Sequence, residues 1–449
     1  MLGFKVLSPL IMVVLGLIYA PSLIAQTSAV NNSIETKFAL VGGTLIDGSG
    51  GPPLQDAILL ISGEFIEAVG QVGSLSIPAN YTVISTEGRT MMPGLWDMHV
   101  HLLYAGHTNF PYWHQSYTDQ FTDTIMPATA LQLLQAGVTS TRDLGAPPES
   151  IFRIRQQIAA NQIPGPTLYA AGPQLASPFP DWAQYYRRNI SGTAKAATEA
   201  RALIELEADI LKISGAEQLS VDDVRTVTDI AHAQGLLVTA HGRSDEEIEI
   251  GLAGGVDEFQ HIGVASEEFP ASVMSLIESH IGSGKKLYWT PTVGLQLRAG
   301  TPSEDLELLD DPENYLGLPP AIIEDIQTSL ITYSPGPVPQ EIIRRKISQL
   351  QQAGVTLLVG TDGGLSGNPH AQAMWQEMRA WVNVLGIDPV ETIHAATGLP
   401  AQLMGVDEIV GTLKPGMLAD VIVVHGNPLQ SMDVLRDPEL VFKNGRLQF

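Results

Sequence analysis

Leu95-Trp96-Asp97-Met98-His99-Val100-His101 is the stretch on which the reading of this chain turns. It is apolar and short, as a buried strand is, and in a strand residues two apart project to the same side. His99 and His101 therefore share a face and form a chelating pair. Four more stretches are built alike: Asp209-Ile210-Leu211-Lys212-Ile213, Leu236-Leu237-Val238-Thr239-Ala240-His241, Val256-Asp257-Glu258-Phe259-Gln260-His261 and Thr356-Leu357-Leu358-Val359-Gly360-Thr361-Asp362. Each carries one polar residue at or near its C-terminal end. Where parallel strands close into a barrel those ends converge, so His99, His101, Lys212, His241, His261 and Asp362 are expected to meet as metal ligands.

Taken singly, these residues argue little. A lone His at a strand end is commonly structural, and an Asp before Gly-Gly is a turn former. Lys212 is different, because an ammonium flanked by Ile210, Leu211 and Ile213 carries a desolvation penalty. Burial lowers its pKa, and a neutral amine reacts with carbon dioxide to give a carbamate, a carboxylate-like anion able to bridge two cations.

Working outward from these strands, residues 93–404 alternate apolar strands with helical stretches, the pattern of parallel β/α units. With Gly137 to Arg142, Thr167 to Ala171 and Lys286 to Thr290 the count reaches eight, so the expected class is α/β, a (β/α)8 TIM-like barrel. Val221 to Gln234 is one expected helix, opened by Ser220 as N-cap and closed before Gly235. The flanks, residues 37–92 and 405–449, hold short apolar runs punctuated by Gly and Pro. Neither is long enough for its own core, and the two are expected to form one small β-sandwich from both chain ends. Such a division suits a chain of 449 residues, which exceeds the size at which a single core stops growing.

Residues 1–29 have the layout of a cleaved secretory signal: Lys5, the apolar run Leu10 to Ile18, then small and polar residues. A secreted or periplasmic location follows, with no membrane contact once the signal is removed. There is no Cys, so export would not be accompanied by disulfides. The formal net charge of −24, from 24 Lys plus Arg against 48 Asp plus Glu, disfavours nucleic acid and anionic membrane as partners. A homo-oligomer is compatible with the sequence.

Three connections are too long and too aromatic for plain turns: Leu102 to about Asp123, Gly172 to Asn189, and Val293 to about Gln340, the last with its own helix near Ala321 to Leu330. All follow barrel strands on the face where the ligands converge, and so would wall a pocket. Tyr104, His107 and Tyr288 are candidate substrate contacts. Arg142, Arg187 and Arg188 are candidates to hold a substrate carboxylate by bidentate pairing.

Pro93 to His101, the Lys212 strand, Ala240-His241-Gly242, Gln260-His261-Ile262-Gly263, Gly360-Thr361-Asp362 and the tail Gly411 to Asp420 together resemble the metal-dependent amidohydrolase superfamily. The branch most resembled is the imidazolonepropionase-like and Xaa-Pro dipeptidase-like one, with a binuclear centre. That resemblance implies that His99 and His101 bind a buried metal and His241 and His261 a more exposed one. Carboxylated Lys212 would bridge them, and Asp362 would bind the buried metal and shuttle the proton. One departure stands out: many relatives carry a glycine-rich loop after the lysine strand, and this chain has Ser214-Gly215-Ala216-Glu217-Gln218.

The chemistry expected is hydrolysis of a small amide, a dipeptide or N-acyl amino acid. Two divalent cations sharing a water supply hydroxide at neutral pH, and the imidazole and carboxylate ligands suit Zn²⁺. A lactone or phosphotriester hydrolase would use the same centre. A mononuclear deaminase would have Glu three residues after the third histidine, where this chain has Ser244. An exported binding protein without activity should lack a ligand, and none is missing. Nucleophilic catalysis is disfavoured, since there is no Cys and no Gly-Xaa-Ser-Xaa-Gly elbow.

Overall fold

The computed structural model describes residues 36–294, 296–297, 309–333 and 338–449. The expected signal, residues 1–29, and parts of the third long connection lie outside the described residues.

The chain opens with β1 (Lys37–Leu45), β2 (Leu54–Ser62), β3 (Phe65–Gln71), β4 (Thr82–Ser85) and β5 (Arg89–Pro93). Next come the parallel strands β6 (Leu95–Val100), β7 (Val138–Asp143) and β8 (Thr167–Ala170), followed by β9 (Gln174–Ala176) and β10 (Arg187–Asn189). Five more follow: β11 (Leu211–Ser214), β12 (Val238–His241), β13 (Glu258–Gln260), β14 (Tyr288–Thr290) and β15 (Thr356–Leu357). The chain closes with β16 (Val421–His425), β17 (Leu440–Lys443) and β18 (Arg446–Leu447). All eight strands expected between residues 93 and 404 are present.

The terminal strands form one eight-stranded sheet in the order β18-β17-β16-β5-β1-β2-β3, with β4 beside β1. Its seam is the antiparallel pairing of β16 with β5, Val421 opposite Pro93 through His425 opposite Arg89. Leu40, Leu59, Met91, Val421, Val423 and Phe442, drawn from both chain ends, share its core. Gly94 then turns the chain from this sheet into β6. A Cβ there would sit 2.2 Å from Thr139 Oγ1, so only glycine allows the two strands this approach.

The central strands form two parallel sheets, β6-β7-β8 and β10-β9-β11-β12-β13-β14-β15. Backbone bonds run between them on both sides. Asp209 N donates to Ala170 O (3.0 Å) near β8 and β11. Past the end of β15, Met98 N donates to Val359 O (3.2 Å), His101 N to Gly363 O (3.0 Å) and Asp362 N to His99 O (2.8 Å). Helices cover the sheets with apolar faces such as Leu133, Ile151, Val224, Val227, Ile277 and Ile347, packed in one large core.

The helix at Val221–His232 has Ser220 as its N-cap in a capping box with Asp223, and the helix at Pro320–Leu330 is also where the sequence puts one. Two connections differ from the expected loops. Residues after Leu102 form a helix, Phe110–Tyr117, capped by Asn109. The second connection contributes β9 and β10 as extra parallel strands. Strands of three residues are too short for alternation to register in a sequence, and the helix is too aromatic to show a polar face.

Candidate metal centre

Strand ends place all six candidate ligands in the interior. His99 lies within β6 and is fully buried; His101 follows it by two and is 5% exposed. His261 and Asp362 follow their strands with positive φ, 73° and 57°, and Thr292 beyond β14 is also left-handed at 50°. Non-glycine residues seldom adopt this conformation, which clusters at functional sites because surrounding structure must hold it. Here the holding is visible. His261 N donates to Thr290 O (2.8 Å), and the Trp289 indole N–H donates to His261 O (2.5 Å).

The side chains converge on Asp362. Its Oδ1 lies 3.3 Å from both His99 Nε2 and His101 Nε2, and its Oδ2 lies 3.7 Å from His261 Nδ1. The His99 ring is centred 4.8 Å from that of His261, which is 4.9 Å from that of His241. One ligand atom from each of His99, His101 and Asp362 falls within a 4.8 Å set able to hold a cation.

A ring of other polar groups fixes these imidazoles. His99 Nδ1 bonds Gln260 Oε1 (2.8 Å), and Gln260 Nε2 donates to Thr239 Oγ1 (2.8 Å), which orients the amide. His101 Nδ1 donates to Gly145 O (3.2 Å), and His261 Nδ1 pairs with Thr292 Oγ1 (2.8 Å). With Nδ1 engaged in His99 and His101, Nε2 is the lone pair each leaves for a metal, whereas His261 Nε2 accepts from Arg243 NH2 (3.3 Å). Asp97, in the same strand as His99, accepts from His99 N (3.2 Å), Thr361 N (3.0 Å) and Thr361 Oγ1 (2.6 Å). That carboxylate ties the first ligand strand to the last.

The electrostatics suit cations. Burial drives His99, His241 and His261 well below the usual imidazole range, so they stand neutral. Burial alone would raise the Asp362 carboxyl, but His99, His101 and Arg243 outweigh it and hold the group ionised. Burial likewise drives the Lys212 amine well below its ordinary value. Lys212 Nζ, His99 Nε2 and Asp362 Oδ1 are all buried without a hydrogen-bond partner. Such groups are costly unless a ligand satisfies them, and neutral imidazoles around a carboxylate and a free amine fit divalent cations.

Beside His241 opens a cavity of about 360 Å³, lined also by Arg187, Arg243, Ser214, Glu217 and Glu247. Of the candidate substrate contacts, Arg187 is here; its Nε donates to Gln174 Oε1 (3.2 Å) and its guanidinium lies over the Tyr186 ring. Arg188 is turned to the carbonyls of Gln184 and Arg187. Tyr104 and His107 are buried in the aromatic packing of the first connection. Tyr104 Oη bonds His114 Nε2 (2.9 Å), and His107 stacks on Tyr112. Two expectations are corrected. Arg142 is fully buried, its NH2 2.7 Å from Glu258 Oε1 and its Nε bonded to Met98 O, with NH1 left without a partner, so it packs in the interior and is not part of the cavity wall. Tyr288 begins β14 and lines a different recess with His232, Leu237, His280 and Lys286, away from the metal residues. Arginine and tyrosine at strand positions read the same from sequence whether they face a site or the packed interior.

The sequence reading passed over Arg243, whose NH2 is 3.3 Å from His261 Nε2 and 3.9 Å from Asp362 Oδ2, and the supports Asp97, Gln260 and Thr292. Asp97 and Gln260 had a signal. Asp97 shares the parity of His99 and His101, and Gln260 directly precedes His261.

Parallel α/β units whose strand ends gather histidines, an aspartate and an unpartnered lysine make a candidate metal site of the kind metal-dependent hydrolases carry. The chain belongs to the amidohydrolase family, whose model matches residues 90–447. The family's fold is a TIM-like barrel, and its members are generally metal-dependent. Ochratoxinase of Aspergillus niger is 25% identical over 481 aligned residues, covering 95% of this chain and 88% of its own. A Bifidobacterium longum structure, provisionally named a prolidase, matches with TM-score 0.70 and 27% identity, covering 92% of this chain and 95% of that one. A Xaa-Pro dipeptidase with bound methionine shares the fold, with TM-score 0.67 and 21% identity over 92% of this chain and all of that one. The protein is a hydrolase of carbon–nitrogen bonds.

Proposed function

We propose that this chain is an exported binuclear amidohydrolase that cleaves a small amide, a dipeptide or an N-acyl amino acid. In this reading the central strands close into one (β/α)8 barrel and the terminal strands form a separate small sandwich. The observation that carries the centre is the trio of buried, unpartnered atoms Lys212 Nζ, His99 Nε2 and Asp362 Oδ1. A carbamate on Lys212 would turn an orphaned amine into an anionic bridge. His99 and His101 would then hold one cation, His241 and His261 the other, with Zn²⁺ suited to the donors. Bound cations would supply an activated water and polarise the scissile carbonyl.

The chain's own residues do the rest. Asp362, held ionised, accepts the proton of the attacking water and passes it to the leaving nitrogen. Gln260, Thr292 and Asp97 keep the ligands oriented. The relatives' names support an amide: ochratoxinase, a provisional prolidase and a dipeptidase all fall on that side.

The test is metal analysis together with a library of dipeptides, N-acyl amino acids, lactones and phosphotriesters, assayed on zinc-reconstituted protein. About two metals per chain are expected, falling in Lys212→Met, with turnover of amides. One metal per chain at full activity sinks the bridge. Turnover of esters or phosphotriesters alone sinks the amide.

A further inference from the structure

The cavity beside His241 is charged in two senses. One edge is acidic. Glu217, from the short helix Ala216–Gln218, reaches its wall beside Glu247, from the helix Asp245–Gly254. Glu247 is a fixed acceptor: its Oε2 takes Arg243 N (2.8 Å) and Ser244 N (3.3 Å), and its Oε1 lies 3.9 Å from His241 Nδ1. Glu217 is exposed and accepts from its neighbour Gln218 Nε2 (3.2 Å). Two carboxylates in one cavity lining favour a cation beside them.

The other edge is basic. Arg187 lines it, its Nε donating to Gln174 Oε1 (3.2 Å) and its guanidinium lying over the Tyr186 ring. Arg243 is about half exposed and reaches to within 4 Å of the ligands His261 and Asp362. Between the edges, Ser214 is 2% exposed, and its hydroxyl is buried without a partner although the residue lines the cavity. A buried hydroxyl left in this way calls for a ligand group to satisfy it.

We propose that this cavity selects a zwitterion: a dipeptide whose α-ammonium is taken by Glu217 and Glu247 and whose terminal carboxylate is taken by Arg187 and Arg243. The inference rests on the amidohydrolase reading above and narrows it, because an N-acyl amino acid offers the acidic edge no cation. It also gives a purpose to the segment Ser214 to Gln218, where the chain departs from its relatives' glycine-rich loop. A loop of glycines carries no charge, whereas this one brings a carboxylate to the cavity wall.

The experiment compares an apolar dipeptide, its N-acetyl derivative and its C-terminal amide in two ways. One is kcat/KM of the zinc-reconstituted full chain; the other is binding to the metal-free chain by calorimetry. The free dipeptide is expected to exceed each blocked form by about tenfold or more, since a charged hydrogen bond lost at a half-buried site is worth that much. In Glu217→Gln the preference for the free amine should collapse to about threefold or less. In Arg187→Met, or failing that Arg243→Met, the preference for the free acid should collapse. Both are exposed or half-exposed positions, so folding is not at stake, and circular dichroism confirms it. An N-acetyl compound that binds or reacts as well as the dipeptide overturns the proposal. So does Glu217→Gln if it weakens both substrates equally. Selective binding without hydrolysis of any amide supports the charged cavity and sinks the amide reaction, so the two readings fail separately.

Discussion

In the proposed reaction Asp362 answers for both binding and chemistry. Its Oδ1 is shared by His99 and His101, and its ionised state is set by those rings and Arg243 against the effect of burial. Asp362→Asn keeps an oxygen ligand and the side-chain volume but removes the proton acceptor. Turnover should fall by about a hundredfold or more while most of the metal stays bound; a rate near that of the wild type across pH would assign the base elsewhere. Gln260 tests a different dependence. It touches His99 only at Nδ1, and its own amide is set by Thr239. Gln260→Ala frees the imidazole to rotate, and metal affinity should drop about 10- to 100-fold in competition with a chelator. Unchanged affinity would mean that packing alone orients His99.

At the scale of elements, what a sequence can announce is periodicity, and what it hides is contact. The ligand strands were legible because each short run carries a residue able to bind metal at or near its C-terminal end, and the N-cap at Ser220 because a helical stretch follows it and stops before Gly235. β9, β10 and the helix at Phe110–Tyr117 were not, since three-residue strands and an aromatic helix have no pattern to read. Nor does a sequence show which distant element steadies a loop. Val293 and Gly294, just past the Thr292 that braces His261, donate their N–H groups to Glu377 of the helix His370–Ala380, which also accepts from the Trp381 indole (2.8 Å). Burial pushes the Glu377 carboxyl up from 4.5 to about 7, the three N–H donors opposing it. A folded-state pKa above the unfolded one means that the native chain holds a proton the unfolded chain has released. The stability this gives is complete below about 4.5 and is lost as pH rises through about 7. Glu377→Gln cannot titrate, so its urea midpoint, lower than that of wild type at pH 5, should close on it by pH 8. Parallel midpoints across that range would show that Glu377 is ionised throughout.

At the scale of the molecule, the central strands must be held in one cross-section if six ligands from five separated stretches are to meet, and Arg142 is placed to do this. From β7 it reaches Met98 O on β6 and Glu258 on β13, and Glu258 Oε1 also accepts from Thr290 on β14 (2.7 Å). Four strands are thereby cross-linked through a pair that is 0% and 1% exposed. The position was read from sequence as a clamp that holds a substrate carboxylate by bidentate pairing; burial makes the same guanidinium an internal tie. The two roles separate by experiment. Arg142→Met leaves the buried Glu258 carboxylate without its ion-pair partner, which costs about 3–5 kcal/mol, and a second change, Glu258→Gln, should return a good part of it by removing the orphaned charge. Denaturant unfolding of the single and double variants measures both. If Arg142→Met instead keeps its full stability and raises KM for a free acid over its amide, the arginine faces substrate after all, and the cross-section must be held by the backbone ladders alone.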